Sequence, residues 1–254
     1  MTGTTDFIKS GEPQTLGGFI VTESATAMLR SLRRARAKTK VTMITGAPGV
    51  GKSATIEYFK ENECYEAIVF QATAGEGGEW NLGCALYDLL RLGVPNARDR
   101  GETRREIADT IGPNGFLIID EAQYLVQRNM RGADSWDCLE WVRSMSEYGG
   151  FGMAFVGDLT LDSIVYDLPQ LKRRTHPRLT LTHVTARDAD IFCKANGLTD
   201  GKTIKTLARV AKSFGGLGDL AEIFATAKDM NGDKLPTPDD IHASLELLGF
   251  KKGV

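Results

Sequence analysis

Short apolar runs alternate with helical patterns through the middle of the chain. The apolar runs lie at residues 41–45, 67–70, 116–119 and 153–156, and a weaker, alternating run lies at 178–182. Runs of this kind are typical of strands that are buried on both faces. The clearest helical patterns between them cover residues 82–92 and 136–145. The alternation predicts an α/β fold in which helices flank a five-stranded parallel sheet.

The pattern changes after residue 183, where strand signals stop. Helical patterns cover residues 185–196, 202–214, 217–230 and 238–249. Thr237 and Pro238 form a good helix start, since threonine caps the first turn and proline fits within it. We therefore predict three parts: a flexible N-terminal arm (1–18), an α/β core (19–183) and a small C-terminal helical lid domain (184–254).

Composition and charge narrow the class of protein. The chain has 254 residues, of which 42% are hydrophobic and 25% charged, as in an ordinary globular protein. A formal charge of −2 does not indicate a nucleic-acid binder, so any DNA contact must come from local basic clusters. One cluster places six basic and no acidic residues within 30–40, and another lies at 172–178. Four scattered cysteines and the lack of a long apolar stretch favour a cytoplasmic protein with reduced thiols and no membrane partner.

The strongest chemical signal is a glycine-rich loop between the first apolar run and a helical pattern. It matches the pattern G-x-x-x-x-G-K-[ST], with Gly46, Ala47, Pro48, Gly49, Val50, Gly51, Lys52 and Ser53. Glycines let the backbone turn its N–H groups toward phosphate oxygens. Lys52 would neutralise phosphate charge and the Ser53 hydroxyl would bind Mg²⁺. The loop predicts nucleoside triphosphate binding.

A second signal is a pair of carboxylates at the end of a strand. Asp120 and Glu121 directly follow the apolar run 116–119. Asp120 would hold Mg²⁺ beside the phosphate loop, and Glu121 would polarise the attacking water. The alternative is that both residues only cap a helix that begins at Ala122. The pair extends the prediction from nucleotide binding to hydrolysis.

Asp158 gives a weaker signal of the same kind. It follows the apolar run 153–156, separated from it by Gly157, and lies at the same predicted edge of the sheet. Asp158 would help to position the water, or it would only begin a loop.

Together these motifs resemble the AAA+ ATPases. The Walker A loop lies at 46–53, the Walker B strand at 117–121, and a polar residue like sensor 1 follows the next strand. The resemblance covers the chain from about residue 19 and is strongest to the DNA-transposition type, which includes the phage Mu B protein, TniB, TnsC and IstB. The cues are the entry segment 19–22, the GAPGVGKS loop, the run 118–123 and the small C-terminal bundle.

The resemblance implies further site residues, with ATP and Mg²⁺ as cofactors. It adds Phe19, Val21 and Ala54 to the nucleotide-binding set. It implies an arginine finger that reaches a neighbouring subunit, in the stretch that contains Arg173 and Arg174; the alternative is a solvated or DNA-facing basic cluster. Gly218 stands where the family usually has a sensor-2 arginine. This departure favours slow turnover, stimulated by DNA or a partner, with ATP acting mainly as an assembly switch.

The resemblance also points to DNA contacts after the second and third core strands. The basic residues there are Arg98, Arg104, Arg128 and Arg131. Acidic neighbours surround Arg98 and Arg104, so a solvated helix face is the alternative for these two. The basic segment 30–40 is a further candidate for DNA contact. Its alternative is that it forms only the polar side of an amphipathic helix.

We therefore expect an ATP-dependent ATPase that binds double-stranded DNA without sequence preference. It would oligomerise on DNA as a ring or helical filament and deliver target DNA to a transposase. The alternatives are a DnaC-like helicase loader and an ATP-switched scaffold module without a DNA role. A small-molecule kinase fits the paired carboxylates and the helical tail poorly.

Overall fold

The computed structural model describes residues 15–16, 18–128, 134–135, 137–166, 169–175 and 178–250. The chain divides into two compact units: one is formed by residues 27–183, and the other combines the residues before 27 with those after 183. Within the described ranges, no helix is both long and apolar enough to cross a lipid bilayer. The predicted boundaries at residues 18 and 183 stay a prediction.

The secondary structure follows the alternation of the sequence pattern. The strands are β1 Thr15–Leu16, β2 Phe19–Ile20, β3 Val41–Gly46, β4 Ile68–Gln71, β5 Phe116–Asp120, β6 Gln127–Arg128, β7 Asp134–Ser135, β8 Gly152–Gly157 and β9 Leu179–Leu181. The helices are α1 Glu23–Ala37, α2 Lys52–Asn62, α3 Glu79–Leu90, α4 Arg100–Ile111, α5 Asp137–Gly149, α6 Thr160–Tyr166, α7 Pro169–Arg174, α8 Ala186–Ala195, α9 Gly201–Ser213, α10 Leu217–Met230 and α11 Pro238–Leu247. A 3-10 turn covers Ala122–Leu125.

Five strands form the predicted parallel sheet, in the order β4-β5-β8-β3-β9. Strand β8 pairs with β5 on one side and with β3 on the other, although all three are far apart in the chain. Since parallel strands share one direction, β3, β5 and β8 all end at the same edge of the sheet. Their last residues are Gly46, Asp120 and Gly157. This edge is where the predicted chemistry converges.

The sheet is covered on both faces, as the continuous apolar runs predict. Leu117 and Met153 of the sheet share one buried cluster with residues from α3, α4 and α5. Side chains alternate between the faces of a strand, so Phe116 points to the other face. There it meets Phe59 of α2, with ring centroids 5.8 Å apart. The predicted α/β fold with a helix-flanked sheet is confirmed.

Three helices of the core had no clear signal in the sequence. Helix α4 contains Arg104, for which the sequence left a helix face as the alternative, and Asp99 caps this helix by accepting a bond from the Glu102 N–H. Helices α6 and α7 have seven and six residues. Helices this short do not complete the repeated periodic pattern from which longer ones are recognised.

The second unit contains α8 to α11 and confirms the predicted helical C-terminal region. Thr237 caps α11 in a reciprocal capping box with Asp240, and Pro238 occupies the first turn, as predicted. Thr185 and Asp188 form the same arrangement at α8. Asp188 is fully buried and also accepts bonds from the backbone and hydroxyl of Ser24, which explains how the fold tolerates a buried carboxylate.

Candidate nucleotide-binding site

The glycine-rich loop joins the end of β3 to the start of α2. Gly49 and Gly51 have φ angles of 70° and 91°, a left-handed conformation that side chains with a Cβ rarely adopt. The Ala47 N–H donates to the Leu181 carbonyl at 2.8 Å, which fixes the beginning of the loop to the end of β9. The chain therefore turns sharply at the edge of the sheet.

The first turn of α2 is built to receive an anion. Its N-cap residue, Gly51, provides no side chain, so the N–H groups of the first turn have no side-chain cap. The positive end of the helix dipole lies at the same place. Ser53 and Ala54 are exposed on this turn, as a phosphate ligand would require.

Lys52 lies at the first position of α2 and folds back over the loop. Its Nζ donates to the carbonyl oxygens of Gly46 at 2.8 Å and Ala47 at 3.2 Å. Burial lowers the pKa of the Lys52 ammonium, and the carboxylates of Glu121, Asp120 and Asp158 oppose that shift. The Lys52 charge, which the sequence assigned to the phosphates, therefore interacts electrostatically with the three carboxylates that the sequence also assigned to the site.

Ser53 and Asp120 meet across two elements of the core. The Ser53 hydroxyl donates to Oδ2 of Asp120 at 3.0 Å, and Oδ1 of Asp120 accepts from the Glu121 N–H at 2.9 Å. Asp120 is only 5% exposed. Burial raises the pKa of its carboxyl, and these two hydrogen bonds oppose the shift. Hydroxyl and carboxylate oxygens are hard ligands of the kind that Mg²⁺ prefers. Here the two groups lie side by side.

Glu121 is held by its own backbone and by a glutamine. Its φ angle of 54° puts it in the left-handed region, immediately after the buried strand β5. The side-chain amide of Gln123 donates to Oε2 of Glu121. Glu121 and Asp120 do precede a 3-10 turn, but no side-chain bond from Glu121 caps that turn.

Gln123 is a site residue that sequence reasoning missed. Its oxygen, Oε1, accepts from the Asp158 N–H at 3.1 Å while its nitrogen contacts Glu121. The sequence showed Gln123 only as part of the run 118–123. Its contact with Asp158 depends on the pairing of β5 with β8, which no local pattern reveals.

Asp158 lies at the predicted edge of the sheet and begins a helix as well. Its Oδ1 accepts from the N–H of Thr160 at 2.9 Å and from the Thr160 hydroxyl. One oxygen of the carboxylate therefore stabilises the start of α6. The interpretation that Asp158 begins the next element therefore has a structural basis, and its role in positioning the water stays a prediction.

The two candidate finger arginines differ in their contacts. Both are exposed at the end of α7. Arg174 forms an ion pair with Glu147 of α5, which also pairs with Arg143 at 2.7 Å. The Arg173 side chain has no ion pair or hydrogen bond with any residue that the structure describes.

The predicted DNA-contact residues are spread over several elements. Arg98 is exposed before α4, whereas Arg104 is half-buried and donates to Ser144 of α5 at 2.9 Å. Arg128 lies in β6, which pairs with β7. The Arg128 side chain and the whole of Arg131 lie outside the described residues.

Helix α1 divides the basic segment 30–40 into two groups. Arg33 makes two bonds of 2.6 Å to the Glu63 carboxylate, and Arg36 contacts Glu66 and the Glu63 carbonyl. Arg30 and Arg34 are exposed and have no acidic partner in the part of the chain that the structure describes. They line a groove of about 250 Å³, together with Lys40 and Arg178.

The remaining predicted residues belong to the second unit. Phe19 lies in β2, and Val21 follows it half-buried. Gly218 lies in the first turn of α10, and a Cβ there would meet nothing within 4 Å. The roles of these residues in nucleotide binding stay predictions.

Comparisons with known proteins agree with this geometry. A family model described as "AAA domain" matches residues 35–165, just over half of the chain. The chain is 28% identical to the Mu-like prophage FluMu DNA transposition protein B of Haemophilus influenzae, over 85% of this chain and 74% of the relative. It is 24% identical to the ATP-dependent target DNA activator B of Escherichia phage Mu, over 78% of this chain and 62% of that protein.

Solved structures show the same fold at low sequence identity. The Cdc6p structure from Pyrobaculum aerophilum has a TM-score of 0.61 at 15% identity and covers 92% of this chain and 69% of its own. The ORC2 protein of Aeropyrum pernix, in ADPNP-ADP complexes, has a TM-score of 0.60 at 14% identity and covers 94% and 69%. The similarities confirm the resemblance to transposition-type AAA+ ATPases, and the chain belongs to the AAA domain family.

Proposed function

We propose that this protein is an ATP-dependent ATPase that assembles on double-stranded DNA and prepares it as a target for a transposase. The observation that carries the proposal is the convergence of Lys52, Ser53, Asp120 and Glu121 at one edge of the sheet. The names of the curated relatives, a transposition protein and a target DNA activator, support the transposition role.

Nucleotide binding would use the loop and the first turn of α2. Lys52 would exchange its bonds with the Gly46 and Ala47 carbonyls for bonds with phosphate oxygens. Its positive charge would then be paired with the negative charge of the phosphates. Ser53 and Asp120 would hold Mg²⁺, which would neutralise charge on the phosphates. Their separation of 3.0 Å supports a shared ligand role.

Hydrolysis would depend on Glu121 and on an arginine from a neighbouring subunit. Glu121 would polarise the attacking water, since its carboxylate is fixed at the edge of the sheet beside Asp120. Arg173 is the better candidate for the finger, because Arg174 is already paired with Glu147 of its own chain. An arginine at the γ-phosphate would stabilise the charge that develops during phosphoryl transfer. The glycine at 218 agrees with slow turnover.

DNA binding would rest on basic side chains that have no acidic partner. Arg30, Arg34 and Arg98 meet this condition among the described residues, and Arg128 and Arg131 are the other candidates. Such contacts would follow the phosphates without reading the bases, because their energy comes from counterion release. This arrangement supports sequence-independent assembly.

The test is assembly on duplex DNA with a nonhydrolysable ATP analogue, imaged by negative-stain electron microscopy. We expect DNA-bound oligomers for the wild type, and neither ATP binding nor oligomers for Lys52→Ala. Lys60→Ala is the matched control, since Lys60 is exposed at the other end of α2. Wild-type protein that binds ATP but never DNA would overturn the DNA role and favour the scaffold alternative.

A further inference from the structure

Gln123 connects two parts of the site that belong to different strands. It lies in the 3-10 turn after β5, half-buried, while Asp158 follows β8. The amide nitrogen donates to the Glu121 carboxylate, and the amide oxygen accepts from the Asp158 N–H at 3.1 Å. Both bonds need a side chain with a donor and an acceptor at its end, which glutamine provides.

The close approach of β8 leaves the amide little freedom. A Cβ added to Gly157 would lie 2.5 Å from Oε1 of Gln123. The absence of a side chain at Gly157 is therefore what admits the amide between the two strand ends. The hydrogen bonds at both ends of the amide and the close approach of Gly157 restrict the rotamers of Gln123.

We infer that Gln123 is a positioning residue for hydrolysis, which sets the orientation of the Glu121 carboxylate relative to the end of β8. The inference rests on the proposed role of Glu121. The glutamate side chain has three rotatable bonds, so its carboxylate must be oriented before it can polarise a water, and small errors in such placement are costly. The tie to the Asp158 backbone also fixes the distance between the Walker B strand and the next strand of the sheet.

Two substitutions test the two hydrogen bonds of the amide. Gln123→Met keeps the length of the side chain and removes both bonds, and Gln123→Glu keeps the acceptor for the Asp158 N–H but places a carboxylate against Glu121. We expect both to lower kcat by about tenfold or more while the KM for ATP changes by less than about twofold. Tyr124→Ala is the matched control, since Tyr124 lies in the same turn and is 44% exposed; its kcat stays at the wild-type value.

A third substitution disturbs the amide without changing it. Gly157→Ala would displace the Oε1 end of Gln123, and the Leu161 side chain, 3.0 Å away, must also adjust. The φ of Gly157 is not positive, so alanine is compatible with the backbone there. We expect kcat to fall, as for Gln123→Met. Thermal unfolding is measured for every variant.

A background substitution separates positioning from a purely structural role. In Glu121→Asp the carboxylate is one methylene shorter and loses the reach to Gln123. If Gln123 acts through Glu121, Gln123→Met costs less than about twofold further in that background. An equal loss in both backgrounds, or a wild-type kcat for Gln123→Met, would overturn the inference. Wild-type hydrolysis by Glu121→Gln would instead overturn the proposed role of Glu121 itself.

Discussion

The Ser53 hydroxyl donates a 3.0 Å hydrogen bond to Oδ2 of Asp120, a residue 67 positions later in the chain. The bond joins the first turn of α2 to the end of β5. The folded chain therefore keeps the two proposed metal ligands together, in a place where one of them, Asp120, is almost fully buried.

Ser53→Ala should weaken the dependence of hydrolysis on Mg²⁺. It removes an oxygen ligand and one of the donors that stabilise the Asp120 carboxylate. We expect the Mg²⁺ concentration for half-maximal ATPase activity to rise by about tenfold or more. Ser163→Ala is the control, since Ser163 is exposed in α6. An unchanged Mg²⁺ requirement in Ser53→Ala would exclude Ser53 as a ligand.

Glu121→Gln should block hydrolysis and preserve ATP binding. The substitution keeps the size of the side chain but removes the charge that polarises water, so turnover falls by about 10²-fold or more. ATP binding depends on Lys52 and the loop and stays at the wild-type affinity, and assemblies on DNA persist longer. Fluorescent-nucleotide binding and phosphate release measure the two effects; parallel losses of both would contradict the assigned role.

Mixing two inactive variants should restore activity if the sites are shared between subunits. Glu121→Gln supplies an intact Arg173, and Arg173→Ala supplies an intact Glu121, so some interfaces in a mixture contain both. We expect measurable ATPase activity from the mixture. Arg174→Ala mixed in the same way is the comparison, and its own activity should exceed that of Arg173→Ala, because Arg174 pairs with Glu147. A mixture that stays inactive would argue against composite sites.

DNA affinity should respond more to Arg30 and Arg34, which have no acidic partner in the described ranges, than to the paired Arg33 and Arg36. Arg30→Gln with Arg34→Gln should make the slope of log affinity against log salt less steep by about two, since two phosphate contacts are lost. Arg33→Gln with Arg36→Gln removes the same charge from the same helix, but from residues bonded to Glu63 and Glu66.

The control pair should leave the salt slope close to that of the wild type. Equal slopes for wild type and the Arg30–Arg34 variant would shift the DNA surface to Arg128 and Arg131. An alanine pair at those two positions tests that alternative directly. Equal flattening by both pairs on α1 would mean that only the overall charge matters.

The cysteines should react with thiol reagents in a fixed order. Burial raises the pKa of Cys138 and of Cys193 to about 12, so at pH 8 very little of either thiol is in the reactive thiolate form. Cys84 is only half-buried and should be labelled first in the native protein. Mass spectrometry after timed alkylation measures the order, with urea-unfolded protein as the control; early labelling of Cys138 would contradict its burial.

Local sequence was enough for the parts of the site that a short segment encodes. The phosphate loop needs left-handed glycines at Gly49 and Gly51 and a lysine at the start of a helix, and all of these lie within eight consecutive residues. The carboxylates follow a buried strand in the same direct way. The five strands were recognisable because burial on both faces imposes continuous apolar runs, and Thr237 because a helix start has its own chemistry.

The tertiary structure decided which of these residues have partners. Gln123 gains its contact with Asp158 only because β5 and β8 are neighbours in the sheet. Arg174 and Arg173 are adjacent in the chain, yet only Arg174 has a described ion pair, with Glu147. Arg33 pairs with Glu63, whereas Arg34 has no acidic partner among the described residues, because only one side of α1 lies beside Glu63. Sequence periodicity places a side chain on a face of its own element, but the packing of that element against others determines what the side chain meets.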